Sequence, residues 1–569
     1  MNRYKALLLI IIQLVFIISH SGAQPGMSIK NDLTGKLQRN LLAVVAKVAS
    51  SSVLMWSIDE QTGARQSSQF SGVVVSSDGI ILSAAHVVKP GESYKVMFPD
   101  GRECIAKGLG TISIPPERML PDAAMLKIID KGPWPFAEMG WSSSMSVGSP
   151  CVSIAYPESL EQRQPTVRFG QIAVLKNKYG FIQSTCKMEP GDSGGPLFDL
   201  MGRVIGIHSG IEVSEQINHE VPIDIYRKYY SALTKAVDYQ KLPDANESEK
   251  DILFKTVELS PLKGDVLKKF TNIGHDQRKS CVQIKSLIEG QEQLILGTIV
   301  MSKISTGKRL STGLLISKSS MVGENPVIIL NHKIVRATVL RRDRLNDLVL
   351  LSTDEKLPGG VKLNELERSA THINSAGSLL ISPMPDSTPV VAVLGSAIVD
   401  LPPKSSYGYI GAFTGLDSNG LKFTFIQPNS AAALAGLNIG DGVESIGGHP
   451  VNDELDFVKS FGKYMAGDTV LITIKRNDKK MEKMMVLQYP PQKILNHPAE
   501  HFSGGKTLRR DGFKKVFTQD AILTPSQCGG PVYDIEGNFV GINIARFSRA
   551  NVVIIPTVAI ENWYYKIFF

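Results

Sequence analysis

The chain has 569 residues, enough for three or four domains of roughly 150 residues each. Hydrophobic residues make up 43% and charged residues 20% of it, so the composition excludes a disordered or fibrous chain. The formal net charge is only +8, and a basic cluster such as Lys475, Arg476, Lys479 and Lys480 flanks a polar turn, which argues against a nucleic-acid-binding surface.

The first 23 residues have the pattern of a signal peptide. Arg3 and Lys5 precede an apolar run from Ala6 to Ile18, and the small residues 21–23 follow it, as signal peptidase requires. The run is shorter than the roughly 18–20 apolar residues of a membrane span, and no later stretch is long enough. We therefore expect an exported protein, periplasmic or secreted, with no stable membrane span and a mature chain that begins near Gln24. An uncleaved signal anchor is the alternative.

Short β-type segments dominate the next part of the chain. An amphipathic helix is predicted from Thr34 to Ser50. From Ser51 to Ile223, apolar runs recur about every ten residues between Gly, Pro, Asp and Ser, which is typical of an all-β barrel or sandwich. A polar segment at 236–275 is predicted to be a linker, and the β pattern resumes near Cys281.

The segment GDSGGP (191–196) has the pattern of an active-site loop around a serine nucleophile, Ser193. Serine needs a base to take its proton, and the tetrahedral intermediate needs two N–H donors, for which we expect Gly191 and Ser193 to form an oxyanion hole. His86 ends an apolar strand and is the predicted base, while Asp122 precedes another apolar strand and would orient it. The chain order His, Asp, Ser is that of the chymotrypsin-like double β-barrel and differs from the order in subtilisin and the α/β-hydrolases.

Several segments within residues 45–228 together resemble the HtrA/DegP branch of the chymotrypsin-like serine proteases. They are SGVVVSSDGIILSAAHVV, FPDGRECIAKGLG, PDAAMLKI, FIQSTCKMEPGDSGGPL and GRVIGIHSG. The resemblance implies two six-stranded barrels with the site in the cleft between them, and an active domain at 24–235. Phe70, Asp192 and the stretch 186–190 depart from the family pattern, which affects specificity and the active-site loop more than the chemistry.

Residues 276–404 and 491–569 resemble a second, interrupted copy of this domain. The similar segments are PDAAMLKI (121–128) with NDLVLLST (346–353), and DSGGPLFDLMGRVIGIHS (192–209) with QCGGPVYDIEGNFVGINI (527–544). The interval from Asp347 to Cys528 is 110 residues longer than that from Asp122 to Ser193, which leaves room for one small inserted domain.

The second copy lacks the residues needed for hydrolysis. Asp347 and Cys528 take the places of the aspartate and the nucleophile, but Ser526 and Gln527 replace Gly191 and Asp192, which argues against an oxyanion hole. The segment equivalent to SAAHVV is expected to be deleted, with His332 in a different strand. Without a base, Cys528 is predicted to be a small buried hydrophobe in a non-catalytic domain. Residual thiol chemistry is the alternative.

The inserted residues 405–490 resemble a PDZ domain of the HtrA type. The stretch Tyr409-Ile410-Gly411-Ala412 matches the carboxylate-binding loop, and a strand, an amphipathic helix and a closing hairpin follow. The resemblance implies that a peptide adds as a strand to a sheet edge. The N–H groups of Ile410, Gly411 and Ala412 would hold its terminal carboxylate, and Leu455 and Val458 would line the side-chain pocket. A PDZ fold used only for packing is the alternative.

Two further residues are candidates for the primary specificity pocket. By the same resemblance, Lys187, six residues before the nucleophile, lies at the base of that pocket, and His208 lies in a wall segment similar to that of the glutamyl endopeptidases. A cation and an imidazole in a half-buried pocket would favour an acidic side chain before the scissile bond. If Lys187 instead turns to solvent and His208 packs against the barrel, a small apolar pocket remains.

The sequence therefore predicts a mostly β serine endopeptidase that acts on unfolded or damaged proteins. It would have a chymotrypsin-like double β-barrel, followed by a degenerate protease-like double barrel with an inserted PDZ domain. Its partners would be misfolded polypeptides and peptide C-termini, with no nucleic acid, and a homo-oligomer is left open. Five cysteines allow at most a bridged pair, no spacing resembles a zinc site, and we expect no metal and no cofactor. The alternative is a non-proteolytic peptide-binding scaffold or holdase, which an intact triad disfavours.

Overall fold

The computed structural model describes residues 33–568 apart from 114–120, 161, 247–263, 302–312, 331–332, 364–374, 419 and 492–495. The predicted signal peptide and His332 lie outside these residues. The first element is helix α1 (Leu33–Val48), as the amphipathic pattern predicts. Its buried face consists of Leu37, Leu41, Val44 and Val48, spaced by three and four residues. Among the described helices, none is long and apolar enough to cross a membrane.

Six antiparallel strands close into the first barrel. They are β1 (Ser52–Ile58), β2 (Phe70–Val74), β3 (Ile80–Ser83), β4 (Ser93–Met97), β5 (Glu103–Ser113) and β6 (Asp122–Ile128). The strand order is β5-β4-β1-β2-β3-β6, and β5 also pairs with β6 to complete the barrel. Inward side chains such as Val53, Val96 and Leu126 are fully buried, which is why the apolar runs of the sequence form these strands.

Six more strands form the second barrel. They are β7 (Pro150–Ala155), β8 (Thr166–Val174), β9 (Ile182–Ser184), β10 (Pro196–Asp199), β11 (Val204–Ile211) and β12 (Asn218–Pro222). Their order is β10-β11-β12-β9-β8-β7, and β7 pairs with β10 to close the sheet. The short helices α2 (Ile223–Lys228) and α3 (Tyr230–Leu233) follow. The two closed barrels confirm the mostly β fold expected from the sequence.

Within the predicted linker at 236–275, two parts have regular secondary structure. Asp238 and Tyr239 form β13 (Asp238–Tyr239), which pairs in parallel with β5, and the Thr111 hydroxyl donates to the Asp238 carboxylate at 2.8 Å. At its other end, helix α4 (Gly264–Gln277) packs against α1. A polar segment can pair with the open backbone groups of a sheet edge, so a segment between two domains can carry secondary structure.

The third sheet repeats the strand order of the first barrel. It contains β14 (Cys281–Ile288), β15 (Gln291–Met301), β16 (Gly313–Lys318), β17 (Glu324–Leu330), β18 (Lys333–Arg336), β19 (Thr338–Asp343), β20 (Leu348–Thr353) and β21 (Val361–Lys362). The order is β18-β17-β14-β15-β16-β20-β19, with β21 beside β15. The consecutive strands β18 and β19 lie on its two edges, and together they take the place of β5.

Three short strands lead into a separate unit with its own core. The three are β22 (Leu379–Ser382), β23 (Val390–Val393) and β24 (Val399–Leu401). The unit contains β25 (Ala412–Asp417), β26 (Gly420–Ile426), helix α5 (Ala431–Leu434), β27 (Gly442–Ile446), β28 (His449–Pro450), helix α6 (Glu454–Phe461), β29 (Thr469–Arg476) and β30 (Lys479–Val486). Its sheet has the order β25-β26-β27-β29-β30, so β25 lies at an edge.

The strands after this unit return to the sheet that precedes it. They are β31 (Phe513–Gln519), β32 (Pro531–Asp534), β33 (Phe539–Arg546) and β34 (Val552–Pro556), and helix α7 (Thr557–Phe568) ends the described chain. The sheet order is β23-β22-β32-β33-β34-β31-β24, which repeats the order of the second barrel with β23 and β24 in the place of β8. In the chain, β25 to β30 thus lie between β24 and β31, which pair with each other.

The N-terminal and C-terminal halves share a hydrophobic core. Leu379, Ile381 and Val393 of the C-terminal half pack into the cluster that contains α1 and the second barrel. The carboxylate of Asp520 joins the halves as well, because it accepts hydrogen bonds from the N–H groups of Phe169 at 2.9 Å and Val393 at 2.7 Å.

Candidate active site

Three side chains form a line of hydrogen bonds where the first two barrels meet. His86 lies in a 3₁₀ turn after β3, Asp122 opens β6, and Ser193 lies in the loop between β9 and β10. The Nδ1 atom of His86 is 2.8 Å from Asp122 Oδ2, and its Nε2 atom is 3.1 Å from Ser193 Oγ. Because β3 pairs with β6, residues 36 positions apart meet, and the three predicted residues lie together.

The charge distribution suits a general base. Asp122 also accepts from the His86 backbone N–H at 3.0 Å and from the Ser209 hydroxyl at 2.6 Å. Burial raises the pKa of Asp122, but its hydrogen bonds and the nearby His86 outweigh burial and hold that pKa below its usual value. Burial lowers the pKa of His86, while the hydrogen bond and charge of Asp122 together raise it above 6.5. An ionised carboxylate therefore supports a basic imidazole.

The N–H groups of the nucleophile loop divide into two sets. The N–H groups of Asp192, Gly194 and Gly195 donate to the carbonyl oxygens of Glu189, His208 and Asp192, at 3.1, 2.8 and 2.8 Å respectively. Those of Gly191 and Ser193 have no hydrogen-bond partner in the described part of the chain. These are the two donors that the sequence analysis predicts for the oxyanion hole, and both are free to bind a substrate oxygen.

Gly191 has a conformation and surroundings that exclude a side chain. Its φ is +96°, and a Cβ atom would lie 2.4 Å from the Glu158 nitrogen and 2.6 Å from the Tyr156 oxygen. Its carbonyl accepts from the Ser71 hydroxyl at 2.8 Å, and that hydroxyl accepts from the Tyr156 N–H at 2.9 Å. The position of the loop thus depends on glycine and on a serine of β2.

Sequence reasoning missed the cation beneath the loop. Arg168, on β8, and Asp192 are both fully buried, and their Nη1 and Oδ2 atoms are 2.6 Å apart. Burial raises the pKa of Asp192 to about 6, although the charge of Arg168 opposes this shift. Removing one partner of such a pair costs about 3–5 kcal/mol. The unusual aspartate could have signalled a buried cation, but no local pattern links it to Arg168.

Sequence reasoning also missed Ser71 and Ser209 as supporting residues. Both lie inside the segments that carry the resemblance, and each places its hydroxyl against the active-site loop or the aspartate. A small hydroxyl residue in an apolar strand gives no signal of its own, because serine is common in strands that turn one face to a polar site.

Both candidate pocket residues are more deeply buried than expected. Lys187 is 4% exposed, so it does not turn to solvent, and His208 is fully buried with Nε2 2.6 Å from the Ser153 hydroxyl. Burial lowers the pKa of His208 to about 3, so the imidazole is neutral. Burial also lowers the pKa of Lys187 to about 8, an effect to which Arg546 adds and which Asp520 and Glu215 oppose. The half-buried pocket expected from the sequence is therefore not what the structure shows.

The third sheet contains a segment at the place that SAAHVV has in the first barrel, which contradicts the expected deletion. Ser83 pairs with Ala124 in the first barrel, and Ser317 pairs with Val349 in the third sheet. Asp122 lies two residues before Ala124, and Asp347 lies two residues before Val349, so the two aspartates occupy equivalent positions. His86 lies three residues after Ser83, and the residue three positions after Ser317 is Ser320. Ser320 therefore takes the place of the histidine. Residues 317–322 (SKSSMV) share only the first and last letters of SAAHVV, which hides the equivalence in the sequence.

Ser320 confirms the absence of a base at that place. Its N–H and hydroxyl donate to Asp347 at 2.7 and 2.8 Å, and the ammonium of Lys318 donates to the same carboxylate at 2.5 Å. Cys528 is fully buried, and burial raises the pKa of its thiol. The site therefore holds an inert ion pair and a protonated thiol.

All five cysteines are buried and unbridged in the structure. The sulfur atoms of Cys151 and Cys186 are 3.9 Å apart, a van der Waals contact between two thiols. That at most one pair is bridged stays a prediction.

The candidate peptide site of the inserted unit has an open edge. Gly411 has φ +70°, and a Cβ atom there would lie 2.3 Å from the Ser430 side chain. Within the described residues, the N–H groups of Ile410 and Gly411 have no partner. Helix α6 lies beside the edge strand β25, and its Leu455 and Val458 are 60% and 66% exposed. The loop, the edge and two apolar side chains thus border one groove. Tyr409 instead pairs through its backbone with Gln488.

Comparison with known proteins finds matches both for the two barrels that hold the triad and for the unit with the open edge. Residues 70–207 match the family model of the trypsin-like peptidase domain, and residues 408–485 match that of the PDZ domain. The chain is 36% identical over 147 residues to the "Probable periplasmic serine endoprotease DegP-like" of Bartonella henselae, covering 25% of this chain and 27% of that protein. It is 35% identical over 166 residues to the serine protease HTRA1 of Xenopus tropicalis, covering 28% and 35%.

The chain thus spans about a quarter to a third of the length of these two relatives. A solved serine endoprotease from Yersinia pestis aligns with 82% of this chain and 100% of its own, at 15% identity and a TM-score of 0.30, which is too low to support a conclusion. The sequence matches lie on the barrels that hold the three aligned side chains and on the unit with the open edge. The chain is therefore HtrA-like, with a trypsin-like peptidase domain at residues 70–207 and a PDZ domain at residues 408–485.

Proposed function

We propose that the protein is an exported serine endopeptidase that hydrolyses peptide bonds of unfolded or damaged proteins. The observation that carries this proposal is the line of hydrogen bonds from Asp122 through His86 to Ser193, at 2.8 and 3.1 Å. The names of both relatives support it, since each is described as a serine protease and one as periplasmic.

The geometry suits acyl transfer in two steps. Ser193 Oγ attacks the scissile carbonyl carbon while its proton passes to His86 Nε2, and the N–H groups of Gly191 and Ser193 bind the oxyanion. Collapse of the intermediate breaks the C–N bond, and the imidazolium gives its proton to the leaving amine. Water then attacks the acyl-enzyme with His86 again as base, which releases the acid and restores Ser193. Asp122 stays ionised and stabilises the imidazolium throughout.

The other two parts would serve binding and support. We propose that the PDZ domain binds the C-terminus of a peptide as an added strand beside β25, with its carboxylate at residues 410–412. We also propose that 276–404 and 491–569 form a degenerate protease-like domain, because their strand orders repeat those of the two barrels. An inert Cys528 supports a structural role for that domain.

Labelling with a fluorophosphonate tests the proposal directly. Wild-type protein should be labelled at Ser193 and should cleave an unfolded protein such as casein, whereas Ser193→Ala should do neither. The His86→Ala change should cost orders of magnitude in turnover and add little to Ser193→Ala, because the triad acts as a unit. Absence of labelling and cleavage in folded wild-type protein would favour the peptide-binding scaffold or holdase instead.

A further inference from the structure

We propose that Arg549 of the C-terminal half is a positioning residue for the active site. It would hold residues 212–217, here called the wall loop, which directly follow the strand that the resemblance places at the wall of the primary specificity pocket. The wall loop connects β11 with β12, and Arg549 lies in the turn between β33 and β34. This inference rests on the proposed function and extends it, because it makes the non-catalytic half necessary for substrate binding.

One buried guanidinium takes up the carbonyl groups of the wall loop. Arg549 is fully buried, and its Nη1 donates to the Glu212 oxygen at 3.2 Å. Its Nη2 donates to the Ser214 oxygen at 2.7 Å and lies 3.4 Å from the Ile217 oxygen. Burial lowers the pKa of Arg549 to about 10 although Glu215 opposes this shift, so the group stays charged at neutral pH. Hydrogen bonds from a charged donor are the stronger class.

A second contact holds the middle of the same loop. Glu215 is 5% exposed and forms an ion pair with Arg546, which is fully buried at the end of β33. The Gly504 N–H of the C-terminal half donates to the same carboxylate at 3.2 Å. In both contacts the C-terminal half supplies a cation: Arg549 meets neutral carbonyl groups of the loop, and Arg546 meets the loop carboxylate of Glu215.

The same turn also touches the segment that leads to the nucleophile. Asn551 donates from Nδ2 to Glu189 Oε1 at 2.7 Å. Asn218, at the end of the wall loop, accepts from the Met188 N–H at 3.2 Å and lies 3.4 Å from Arg549 Nη2. This turn of the C-terminal half therefore contacts Glu189, close to Lys187 in the chain, and also Asn218 at the end of the wall loop.

The wall loop has only a few contacts with its own barrel. Of its two branched apolar side chains, Val213 is 58% exposed and Ile217 is only partly buried. Asn218 Nδ2 donates to the Glu215 oxygen at 3.2 Å, and His219 Nε2 lies 3.3 Å from the Glu212 carboxylate on the surface. Inside the loop, the described backbone bonds are those from Ile217 to Ser214 at 3.1 Å and from Glu212 to Ile217 at 3.2 Å. Segments with few buried apolar contacts open at low free energy. Loss of Arg549 should therefore loosen this loop before it unfolds the barrel.

The test compares full-length wild type with Arg549→Ala, Arg549→Lys and Arg509→Ala. Arg509 is the matched control, because it is 7% exposed in the same half and its described bonds go to the Arg344 and Leu345 carbonyls and to Asp347. The measurements are kcat and KM for a peptide substrate, hydrogen exchange at 212–217, and thermal unfolding. Arg549→Ala should raise KM at least tenfold with a smaller change in kcat, and should speed exchange in the wall loop. Lysine should recover part of both, while Arg509→Ala should change neither.

Two results would overturn the proposal. One is unchanged KM and unchanged exchange at 212–217 in folded Arg549→Ala protein. The other is an equal loss in Arg509→Ala, which would mean that the effect is general destabilisation of the C-terminal half. If Arg549→Ala does not fold, Arg549→Lys and Glu215→Gln carry the same test with smaller expected changes. If wild type fails to hydrolyse peptides, the proposed function fails, whereas the exchange measurement still decides whether Arg549 holds the loop.

Discussion

Replacing Asp122 by asparagine should remove most of the activity while the protein stays folded. The carboxylate accepts from the His86 N–H at Oδ1 and from His86 Nδ1 and the Ser209 hydroxyl at Oδ2. A backbone N–H can only donate, so the amide oxygen of asparagine should take the Oδ1 position and its NH₂ group should face Nδ1. The imidazole would then carry its proton on Nε2, where it is unable to accept the proton of Ser193.

The size of the effect follows from the distance between the charges. At 2.8 Å and an effective dielectric constant of about 20, a carboxylate attracts an imidazolium by about 6 kcal/mol. The imidazole is 44% exposed, so solvent screening weakens this attraction. A reduction by half leaves about 3 kcal/mol. At 1.36 kcal/mol for each factor of ten, kcat should fall by about 10²- to 10⁴-fold.

The assay is steady-state hydrolysis of a peptide by wild type, Asp122→Asn and Asp199→Asn. Asp199 is the matched control, because it is buried in the same domain but is paired with Arg203 at 2.8 Å, away from the triad. Its change should alter kcat less than threefold. Activity of folded Asp122→Asn protein within tenfold of wild type would show that the aspartate does not orient His86.

Three further outcomes follow from the structure, and a fourth tests the specificity expected from the sequence. The pKa of His86 is raised above 6.5 and the base must be neutral, so kcat/KM should rise with pH through a midpoint above 6.5; a pH profile with a lower midpoint would contradict this. Cys528→Ala should leave peptide hydrolysis within about twofold, because the thiol is buried without a base, and loss of activity on its alkylation in folded protein would refute the inert assignment. A peptide with a free apolar C-terminus should bind at residues 410–412 much more tightly than its amide in calorimetry, and equal affinities would exclude a carboxylate site. If Lys187 and His208 set specificity, a peptide library read by mass spectrometry should show cleavage after acidic residues that weakens in the alanine variant of each; cleavage mainly after Val, Ala or Ile, unchanged in both, would exclude this.

Local patterns in the sequence were sufficient to predict the elements of the active site. The apolar runs between Gly, Pro, Asp and Ser form the barrel strands, because alternation of side chains along a strand is a local property. The chain order of His86, Asp122 and Ser193 predicted a single catalytic triad, and the structure brings these residues together. Gly191 and Gly411 have positive φ at the places where a loop must turn its N–H groups outward.

Contacts between distant segments were decided only by the tertiary structure. Arg168 and Asp192 meet because the second barrel closes, and Arg549 meets the wall loop because the C-terminal half packs against that barrel. No spacing in the sequence records either contact. The burial of Lys187 and His208 has the same origin, since a residue placed at a pocket by resemblance is covered or exposed according to its neighbours in space. Likewise, only the pairing of β16 with β20 shows that Ser320 occupies the position equivalent to that of His86. A sequence pattern carries the preferences of a few adjacent residues, whereas the charge, burial and support of a site depend on side chains that arrive from hundreds of residues away.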